Sequence, residues 1–406
     1  MGYIKGKNIV LGVSGGIAAY KSAELLRLIK KQDAGARVIM TKNASAFVGS
    51  LTFEALSGNP VCTDLFEKEG NSSIRHIEWA KEADAVVVAP ATANIIGKIA
   101  GGIADDALST FLLAVTCPVM ICPSMNTNMY EKVSVRRNID ILKKDGYFIV
   151  EPSEGELACG TTGYGRLPEP EEILDRLIYS LAPKDFMGKR VLVTAGPTRE
   201  HMDPVRYISN PSSGRMGYAI ARAAEHRGAD VVLVSGPAGI KPPVNVEIIR
   251  TGSAKEMAAA VFKHMNKADI IIKAAAVSDY RPSVTAKQKM KKSEKEMTIL
   301  LQKTEDILLE LGKTKKEKIL VGFAAETENL EKNAKEKLER KNLDIIAGNL
   351  LDGKTSGFGT ETNKVILFFR NGDKEILPLL DKESVAHILL DRILELDAGS
   401  SSERNI

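Results

Sequence analysis

The sequence of 406 residues is poor in the side chains that build metal centres and disulfide frameworks. It has 4 cysteines and 5 histidines, and none of them is spaced as Cys-x-x-Cys, His-x-x-x-His or His-Glu-x-x-His. Zinc sites need such clusters of ligands, and disulfide-rich domains need more cysteines per residue. The composition therefore argues against both and indicates reduced cysteines in a cytoplasmic protein.

Long apolar runs and a large charge excess are also missing. No apolar stretch approaches the roughly 20 residues that cross a bilayer. The first apolar run contains Gly15 and Gly16 and passes into an amphipathic helix pattern, unlike a signal peptide. The 56 basic and 52 acidic residues leave a net charge of only +4. Because nucleic-acid partners favour strongly basic surfaces, we expect a soluble protein that binds neither nucleic acid nor a membrane.

Two passages, residues 5–41 and 187–237, share one pattern. Each has a basic approach, a short β-branched strand, a glycine-containing turn, a helix and a second strand. Continuous Val and Ile runs of this kind are typical of buried parallel strands. The pattern predicts two Rossmann-like three-layer α/β domains. The predicted parts are a first domain at 1–182, a linker at 183–189, a second domain at 190–397 and a frayed tail at 398–406. Within the second domain, the Asn-Gly-Asp sequence at 371–373 predicts a hairpin turn. The lysine- and glutamate-rich stretch at 284–317 predicts a mobile flap or a solvated helical excursion.

The turn at residues 12–22 is glycine-rich and opens a helix. Backbone N–H groups at the positive end of a helix suit a phosphate, and a turn that needs glycine only for its geometry is an equally good interpretation. The spacing matches neither Gly-x-Gly-x-x-Gly nor Gly-x-x-x-x-Gly-Lys-Ser. A P-loop enzyme and a nicotinamide oxidoreductase are therefore disfavoured.

Small polar side chains end two further strands. Pro90, Thr92 and Asn94 end one, and Asn126 ends the next, between two methionines. Ligands of open α/β sheets lie at the carboxyl ends of strands, although an N-cap explains the first group equally well. A neutral amide such as that of Asn126 can hold a carboxylate without a strong ion pair.

Two reactive side chains have several interpretations. Cys159 begins a glycine-rich run and is compatible with a buried thiol, a nucleophile or a proton donor. His76 precedes a predicted strand and is compatible with a general base or with a structural histidine near a helix start. The residues alone do not choose between these roles.

The second half has one distinctive anion-binding pattern. Ser212, Ser213 and Gly214 precede a helix, where their N–H and hydroxyl groups can donate to a phosphate. Asp279 ends a strand and suits a metal ion or a ribose. A run of lysines that includes Lys289 is compatible with binding a triphosphate and with a solvated surface.

Taken in order, ten stretches resemble one family along nearly the whole chain. It is the family of bifunctional phosphopantothenoylcysteine decarboxylase / phosphopantothenate–cysteine ligases of coenzyme A biosynthesis. The stretches are GVSGGIAAYK, APATAN, PSMNTNMY and ACGTTGYGRLPEP in the first half, and TAGPTRE, ISNPSSGRMG, AAAVSDYRP, KMKK, GFAAET and RKNLDIIAGN in the second.

For the first domain the resemblance implies an FMN-dependent decarboxylase. The family pattern assigns His76 to the early steps, Asn126 with Met125 to the substrate carboxylate, and Cys159 to the late proton donation. The implied FMN-binding residues are Ser14, Gly15, Gly16, Ile17, Thr41, Pro90, Thr92, Asn94, Ser109 and Met125.

For the second domain the resemblance implies a ligase that uses CTP and Mg²⁺ to activate 4′-phosphopantothenate for L-cysteine. Asn210 and Lys289 are implied catalytic residues, Asn210 acting on the acyl-cytidylate, and Asp279 is the implied metal ligand. The turn at 302–306 departs from the family's Lys-Asn-Pro-Asp pattern. The implied substrate- and nucleotide-binding residues are Ser212, Ser213, Gly214, Ala274, Ala275, Asp279, Lys289, Lys303, Asp306, Phe323, Lys337 and Lys341.

The resemblance also implies a homo-oligomer, with trimers of the first domain, dimers of the second and a dodecamer overall. Two rival functions are a flavin decarboxylase that acts on peptidyl cysteine and a flavoprotein module without catalysis. The nucleotide-binding stretches of the second half disfavour the first, and the joint presence of His76, Asn126 and Cys159 disfavours the second.

Overall fold

A computed structural model describes the chain at residues 3–65, 75–156, 160, 162–291, 297–326, 328–350, 360 and 362–402. The chain forms two compact units, Gly2–Ala182 and Pro183–Ile406, apart from Met1, which groups with the second. No described helix is both long enough and apolar enough to cross a membrane, and a cytoplasmic location stays a prediction.

The first unit is built on a parallel sheet of six strands in the order β3-β2-β1-β4-β5-β6. The strands are β1 Asn8–Val13, β2 Gly35–Met40, β3 Val61–Cys62, β4 Ala85–Ala91, β5 Val119–Pro123 and β6 Phe148–Ile149. The helices are α1 Ala19–Lys31, α2 Ser50–Ser57, α3 Arg75–Glu82, α4 Ala93–Ala100, α5 Ala107–Ala114, α6 Thr127–Tyr130, α7 Val133–Lys144 and α8 Pro170–Leu181. An antiparallel hairpin, β7 Ser153–Glu156 and β8 Thr162–Arg166, precedes α8.

The second unit has an eight-stranded sheet in the order β13-β12-β9-β14-β17-β18-β19-β20, parallel except at β19. Its strands are β9 Arg190–Ala195, β12 Asp230–Ser235, β13 Glu247–Arg250, β14 Ile270–Lys273, β17 Ile319–Glu326, β18 Ile345–Leu350, β19 Thr362–Phe369 and β20 Lys374–Asp381. Two small hairpins add β10 Arg199–His201 with β11 Tyr207–Ser209, and β15 Tyr280–Pro282 with β16 Leu301–Lys303. The helices are α9 Arg215–His226, α10 Ala254–Met265, α11 Ile307–Thr314, α12 Leu330–Arg340 and α13 Lys382–Ser402.

Each sheet is covered on both faces because its central strands are apolar throughout. In β1, Ile9 and Leu11 pack into the core on one face and Val10 packs into the core on the other. In β9, Val193 and Leu192 divide in the same way. Alternate side chains of a strand point to opposite faces, so both units have three layers. The predicted fold class is confirmed.

Residues 183–189, predicted as a linker, are packed against the second unit. Phe186 is fully buried, and its N–H donates to the carbonyl oxygen of Arg227 at 2.9 Å. The Arg227 guanidinium forms a bidentate pair with Asp185 at 2.8 and 2.6 Å. The segment has no periodic pattern that would predict packing from the sequence. Its packing depends on contacts with Arg227, the C-cap residue of α9, about forty residues later.

The carboxyl-terminal part also differs from prediction. Helix α13 continues to Ser402, so the first residues of the predicted tail are helical. Within the lysine- and glutamate-rich stretch at 284–317, β16 and α11 are ordered, and α11 buries Ile307 and Leu311. The Asn-Gly-Asp turn does connect β19 to β20 as predicted, with Gly372 at a φ of 95°.

Candidate active sites

In the first unit, a buried serine ties together the turns that follow β1 and β4. The Ser14 hydroxyl donates to the carbonyl oxygen of Pro90 at 2.7 Å and accepts the N–H of Thr92 at 2.9 Å. Both turns therefore lie at the carboxyl edge of the sheet, where ligands of this fold bind. The Ser14 hydroxyl is used to hold the turns, so its contribution to a ligand site is to shape it.

The turn after β1 is packed closely against the segment that follows β2. A Cβ atom at Gly15 would lie 2.5 Å from the Asn43 Cβ atom, so only glycine fits there. Nearby in sequence, the Thr41 hydroxyl is buried at the end of β2 and has no hydrogen-bond partner in the described part of the chain. Buried hydroxyls are nearly always satisfied, so Thr41 fits a polar group of a bound ligand.

The other predicted cofactor residues differ in exposure. Ile17 and Asn94 are exposed, and Gly16 and Thr92 are half-buried. Ser109 is buried in the capping box of α5, where its N–H donates to Asp106 Oδ1 at 2.8 Å. Its side chain therefore serves a helix end in this structure.

The predicted carboxylate-binding turn is covered by the β7–β8 hairpin. The Met125 N–H donates to the carbonyl oxygen of Gly165 at 2.9 Å. Gly165 has a φ of 143°, and a Cβ atom there would lie 2.1 Å from the Met125 carbonyl oxygen. A Cβ atom at Gly163 would lie 2.6 Å from the Thr127 hydroxyl oxygen. Two glycines thus allow β8 to lie directly on the turn.

Asn126 is the N-cap of α6, and its Oδ1 accepts the N–H of Asn128 at 2.9 Å. This bond fixes the orientation of the amide. Cys159 lies outside the described residues, although β7 and β8 flank it in sequence. His76 is in α3, but its side chain is also outside the described part.

The second unit has a cavity of about 390 Å³ at the carboxyl ends of β14, β17 and β18. It brings together most of the residues that the motifs predicted. These are Asn210, Ser212, Ser213, Gly214, Ala274, Ala275, Asp279, Phe323, Lys337 and Lys341. Lys289, Lys303 and Asp306 are not among its lining residues.

The amino-terminal end of α9 forms one wall of this cavity. Gly214 is the N-cap with a φ of 81°, a conformation that suits glycine. Its N–H reaches the Ser212 hydroxyl oxygen at 3.3 Å. A Cβ atom at Gly217 would lie 2.5 Å from the Ala195 Cβ atom, so α9 lies directly against β9. This arrangement directs the positive end of the helix into the cavity.

Asn210, which lines the cavity, is held in place by two hydrogen bonds. Its Nδ2 donates to the carbonyl oxygens of Ala276 and Val277, both at 3.2 Å. Both N–H bonds of the amide are thereby used, which orients the side chain. Asn210 and the Asp279 segment are therefore linked through the chain that follows β14.

Two cavity lysines, Lys337 on α12 and Lys341 at its C-cap, are paired with carboxylates. Lys337 pairs with Glu326 at 2.5 Å, and Lys341 pairs with Asp306 at 2.8 Å. Burial alone would raise the pKa of each carboxyl, but the lysine hydrogen bonds lower the pKa of both Glu326 and Asp306. Asp306 also caps α11 through the N–H of Leu309.

The segment at 302–306, which departs from the family pattern, is attached to the Asp279 turn. The Thr304 N–H donates to the Asp279 carbonyl oxygen at 2.9 Å, and Lys303 pairs with Tyr280 in the β15–β16 hairpin. This places Lys303 and Asp306 next to the cavity wall without lining it.

Two residues that sequence reasoning missed are Lys273 and Asp203. Lys273 ends β14 and lines the cavity; burial, then the charge of Lys341, lowers its pKa to about 8. Asp203 is fully buried, and its carboxylate accepts the N–H groups of Val205 and Met290 at 2.7 and 3.1 Å. The sequence features that could have indicated them are the lysine that ends the Ile run at 270–273 and the Asp-Pro pair at 203–204.

Asp203 anchors the segment that carries Lys289. Burial would raise the pKa of the Asp203 carboxyl, but its backbone N–H donors lower it, so a carboxylate is retained. The bond to Met290 fixes the chain directly beside Lys289, which is itself exposed. No group of three or more His, Cys, Asp or Glu side chains in the described ranges is arranged to hold a metal ion.

Two family models match the chain. Residues 2–182 match the Flavoprotein model, and residues 186–396 match the model of the DNA/pantothenate metabolism flavoprotein C-terminal domain. The coenzyme A biosynthesis bifunctional protein CoaBC of Bacillus subtilis (strain 168) is 49% identical over 402 residues, covering 97% of this chain and 98% of that protein. The chain belongs to this family. The resemblance predicted from the motifs is confirmed.

A second CoaBC protein is similar over nearly the same part of the chain. That of Escherichia coli (strain K12) is 44% identical over 396 residues, covering 96% of this chain and 97% of its own length. Among solved structures, the C-terminal domain of a CoaBC protein is 42% identical, covers 53% of this chain and 99% of that chain, and has a TM-score of 0.46. The sequence similarity to the two CoaBC proteins of Bacillus subtilis and Escherichia coli spans both units.

Proposed function

We propose that the chain carries out two successive reactions of coenzyme A biosynthesis. The second unit joins 4′-phosphopantothenate to L-cysteine with CTP, and the first unit decarboxylates the product to 4′-phosphopantetheine with FMN. Full-length similarity to CoaBC proteins supports this assignment. The observation that carries it is the cavity of the second unit, because residues from four separate motifs, ISNPSSGRMG, AAAVSDYRP, GFAAET and RKNLDIIAGN, converge there.

In the ligase reaction, a carboxylate oxygen of 4′-phosphopantothenate attacks the α-phosphorus of CTP, and pyrophosphate leaves. The amine of cysteine then attacks the acyl carbon, loses a proton and displaces CMP. Ser212, Ser213 and Gly214 suit the phosphates because N–H groups at a helix start bind anions. The Lys289 segment adds a positive charge, and Asn210 presents its oriented amide to the acyl-cytidylate. Stabilising the charge that develops accounts for the catalysis.

Asp279 would hold Mg²⁺ in this site, with phosphate oxygens of CTP completing the coordination. It is the one acidic residue among the described residues that line the cavity. A single carboxylate fits Mg²⁺, which is commonly bound through one or two carboxylates and substrate phosphates. The ion would supply charge neutralisation at the triphosphate.

The first unit fits FMN at the carboxyl edge of its sheet. The Thr41 hydroxyl, which has no hydrogen-bond partner in the described part of the chain, suits a polar group of FMN. The glycine turn after β1 lies at the same edge of the sheet and suits its phosphate. FMN, when bound, supplies a two-electron acceptor for the cysteinyl part of the substrate and returns the electrons after CO2 has left. Asn126 holds the departing carboxylate with a neutral amide, so no strong ion pair retains it.

The β7–β8 hairpin excludes water from this reaction, since it lies on the turn that carries Asn126. We assign the final proton donation at carbon to Cys159 and the early proton removal to His76, following the family pattern. The oligomeric state is also proposed from the family: trimers of the first unit, dimers of the second and a dodecamer overall.

Separate assays of the two reactions test the proposal. Pyrophosphate release should require both CTP and 4′-phosphopantothenate, and the purified protein should show a flavin absorption spectrum. Asp279→Asn should abolish pyrophosphate release and leave the decarboxylation of supplied 4′-phosphopantothenoylcysteine intact. Cys159→Ser should leave pyrophosphate release intact and abolish the formation of 4′-phosphopantetheine, because its proton is needed after CO2 has left. A protein without flavin that decarboxylates nothing, or one that releases no pyrophosphate, contradicts the corresponding half.

A further inference from the structure

Lys273 differs from the other lysines of the cavity in the second unit. Lys337 and Lys341 are each paired with a carboxylate, and Lys382 donates to the carbonyl oxygen of Thr360. The Lys273 ammonium makes no hydrogen bond or ion pair with any residue in the described part of the chain. A partly buried cation of this kind needs an acceptor from elsewhere.

The strand places this ammonium on the aliphatic side of the cavity. Side chains alternate along β14, so Lys273 extends on the same face as Ile271, which packs in the core with Leu308 and Ile346. Leu308 and Ile346 also line the cavity. The Lys273 end therefore combines apolar walls with a lysine that has no carboxylate partner in the described part of the chain, beside the paired Lys337 and Lys341.

The α9 end of the same cavity is the better place for phosphates. It offers the N–H groups around Gly214 together with the cationic side chains of Arg215 and Lys382. At the Lys273 end, by contrast, the charges of Lys337 and Lys341 are already neutralised by their carboxylates. A bound triphosphate is therefore favoured at the α9 end. The planar nucleobase of the same nucleotide would then lie at the Lys273 end.

We propose that Lys273 binds the nucleobase: its ammonium donates a hydrogen bond to the ring carbonyl oxygen of cytosine in CTP. Cytosine supplies the oxygen acceptor that this lysine lacks, and its ring faces fit against Leu308 and Ile346. The assignment rests on the proposed ligase reaction and adds a binding residue that the motifs do not include.

The test compares the two parts of the nucleotide as separate probes. Binding of CMP and of inorganic tripolyphosphate to the full-length protein is measured by titration calorimetry for the wild type, Lys273→Met and Lys332→Met. Lys332 is an exposed lysine of α12 outside the cavity and is the matched control. We expect Lys273→Met to weaken CMP binding about ten- to a hundredfold, as for a lost charged hydrogen bond. Tripolyphosphate binding should be unchanged, and Lys332→Met should bind both probes as the wild type does.

Two results overturn the inference. If Lys273→Met loses tripolyphosphate binding but keeps CMP binding, the lysine holds phosphates. If it binds both probes as the wild type does while the wild type releases pyrophosphate from CTP, the lysine has no part in nucleotide binding although the ligase function stands. A wild-type protein that releases no pyrophosphate from CTP removes the proposed function and this inference together. ATP, whose base has no carbonyl oxygen, should be less affected by Lys273→Met than CTP.

Discussion

We expect the charge of the partly buried Lys273 to lower the free energy of unfolding of the second unit at neutral pH. Burial and the charges of Lys341 and Lys337 lower its pKa from 10.5 to about 8, against the opposing effect of Asp306 and Asp279. The folded chain thus binds this proton more weakly than the unfolded chain does. Below pH 8 the protonated amine opposes folding by up to about 3 kcal/mol. The penalty disappears as the pH rises from 8 to 10.5, because the folded state has then released the proton.

We predict that Lys273→Met makes the second unit more stable than in the wild type at pH 7 without nucleotide. The gain should shrink between pH 8 and 10.5. Urea denaturation followed by circular dichroism reports on both units, and fluorescence of the only tryptophan, Trp79, reports on the first. The Trp79 transition should be the same in both proteins. A stability difference that does not change with pH would contradict the assigned cause.

At the residue scale, the sequence predicts side chains whose chemistry is visible at a strand end. Asn210 directly follows β11 and lines the cavity. Asp279 lines it as well, but the prediction that a strand ends on Asp279 is wrong: β14 ends at Lys273, and Asp279 lies in the segment before β15. The sequence does not predict Lys273 as a cavity residue, because the residues around it belong to α11 and α12, which begin more than thirty residues later in the chain. Asp203 was not predicted because its partner Met290 is distant in sequence.

Among the elements, the β7–β8 hairpin has a backbone that tolerates only glycine at one point. We predict that Gly165→Ala displaces β8 from the Asn126 turn, since the new Cβ atom would lie 2.1 Å from the Met125 carbonyl oxygen. Decarboxylation should fall roughly a hundredfold, as for a misplaced catalytic group. CO2 release from supplied 4′-phosphopantothenoylcysteine measures the effect.

Gly155→Ala is the matched control in the same hairpin. Its Cβ atom would meet only the Arg166 side chain, at 3.5 Å, and should leave decarboxylation close to that of the wild type. Pyrophosphate release by the ligase unit should be unaffected in both variants. Equal losses in the two variants would mean that the hairpin matters for stability and not for its contact with Met125.

The segment that carries Lys289 should depend on Asp203 in the same way. We predict that Asp203→Ala frees the chain at Met290 and lowers pyrophosphate release at least tenfold, because a loosely held lysine no longer meets the triphosphate. The decarboxylase reaction provides the internal control. The N–H groups of Val205 and Arg206 donate to Asp203 Oδ1, and that of Met290 donates to Oδ2. Asp203→Asn has one acceptor oxygen and keeps only part of these bonds, so it should lose less activity than Asp203→Ala. Full activity of Asp203→Ala would exclude an anchoring role.

Element prediction succeeded where the pattern is local and failed where packing decides. The Asn-Gly-Asp turn between β19 and β20 needs only its own residues. The sequence of residues 183–189 is typical of a linker, and only the structure shows that Asp185 pairs with Arg227. The stretch at 284–317 is rich in charged residues, so its composition does not indicate that α11 has a buried apolar face. In both cases the deciding contacts come from other parts of the chain.

For the whole molecule, the pattern of two similar βαβ starts was sufficient to predict two sheets of mainly parallel strands. The same pattern does not predict how many copies of the chain assemble into an oligomer. The oligomer remains a prediction that the exposed surface of the first unit supports. Ile17, Tyr20, Phe47 and Leu51 are all strongly exposed, and exposed apolar side chains of this size are typical of interaction surfaces.

We predict that the protein has a mass about twelve times that of its 44.0 kDa chain in mass photometry, as the proposed dodecamer requires. Leu51→Asp should reduce this mass, because a charge would be placed on an apolar side chain that is 74% exposed in the single chain. Ser134→Asp, which adds the same charge at an exposed polar position of α7, is the control and should leave the mass unchanged. If the wild type is a monomer, or if Leu51→Asp keeps the full assembly, these side chains are ordinary surface residues. A flavin that is lost together with the assembly would further indicate that neighbouring chains complete the FMN site.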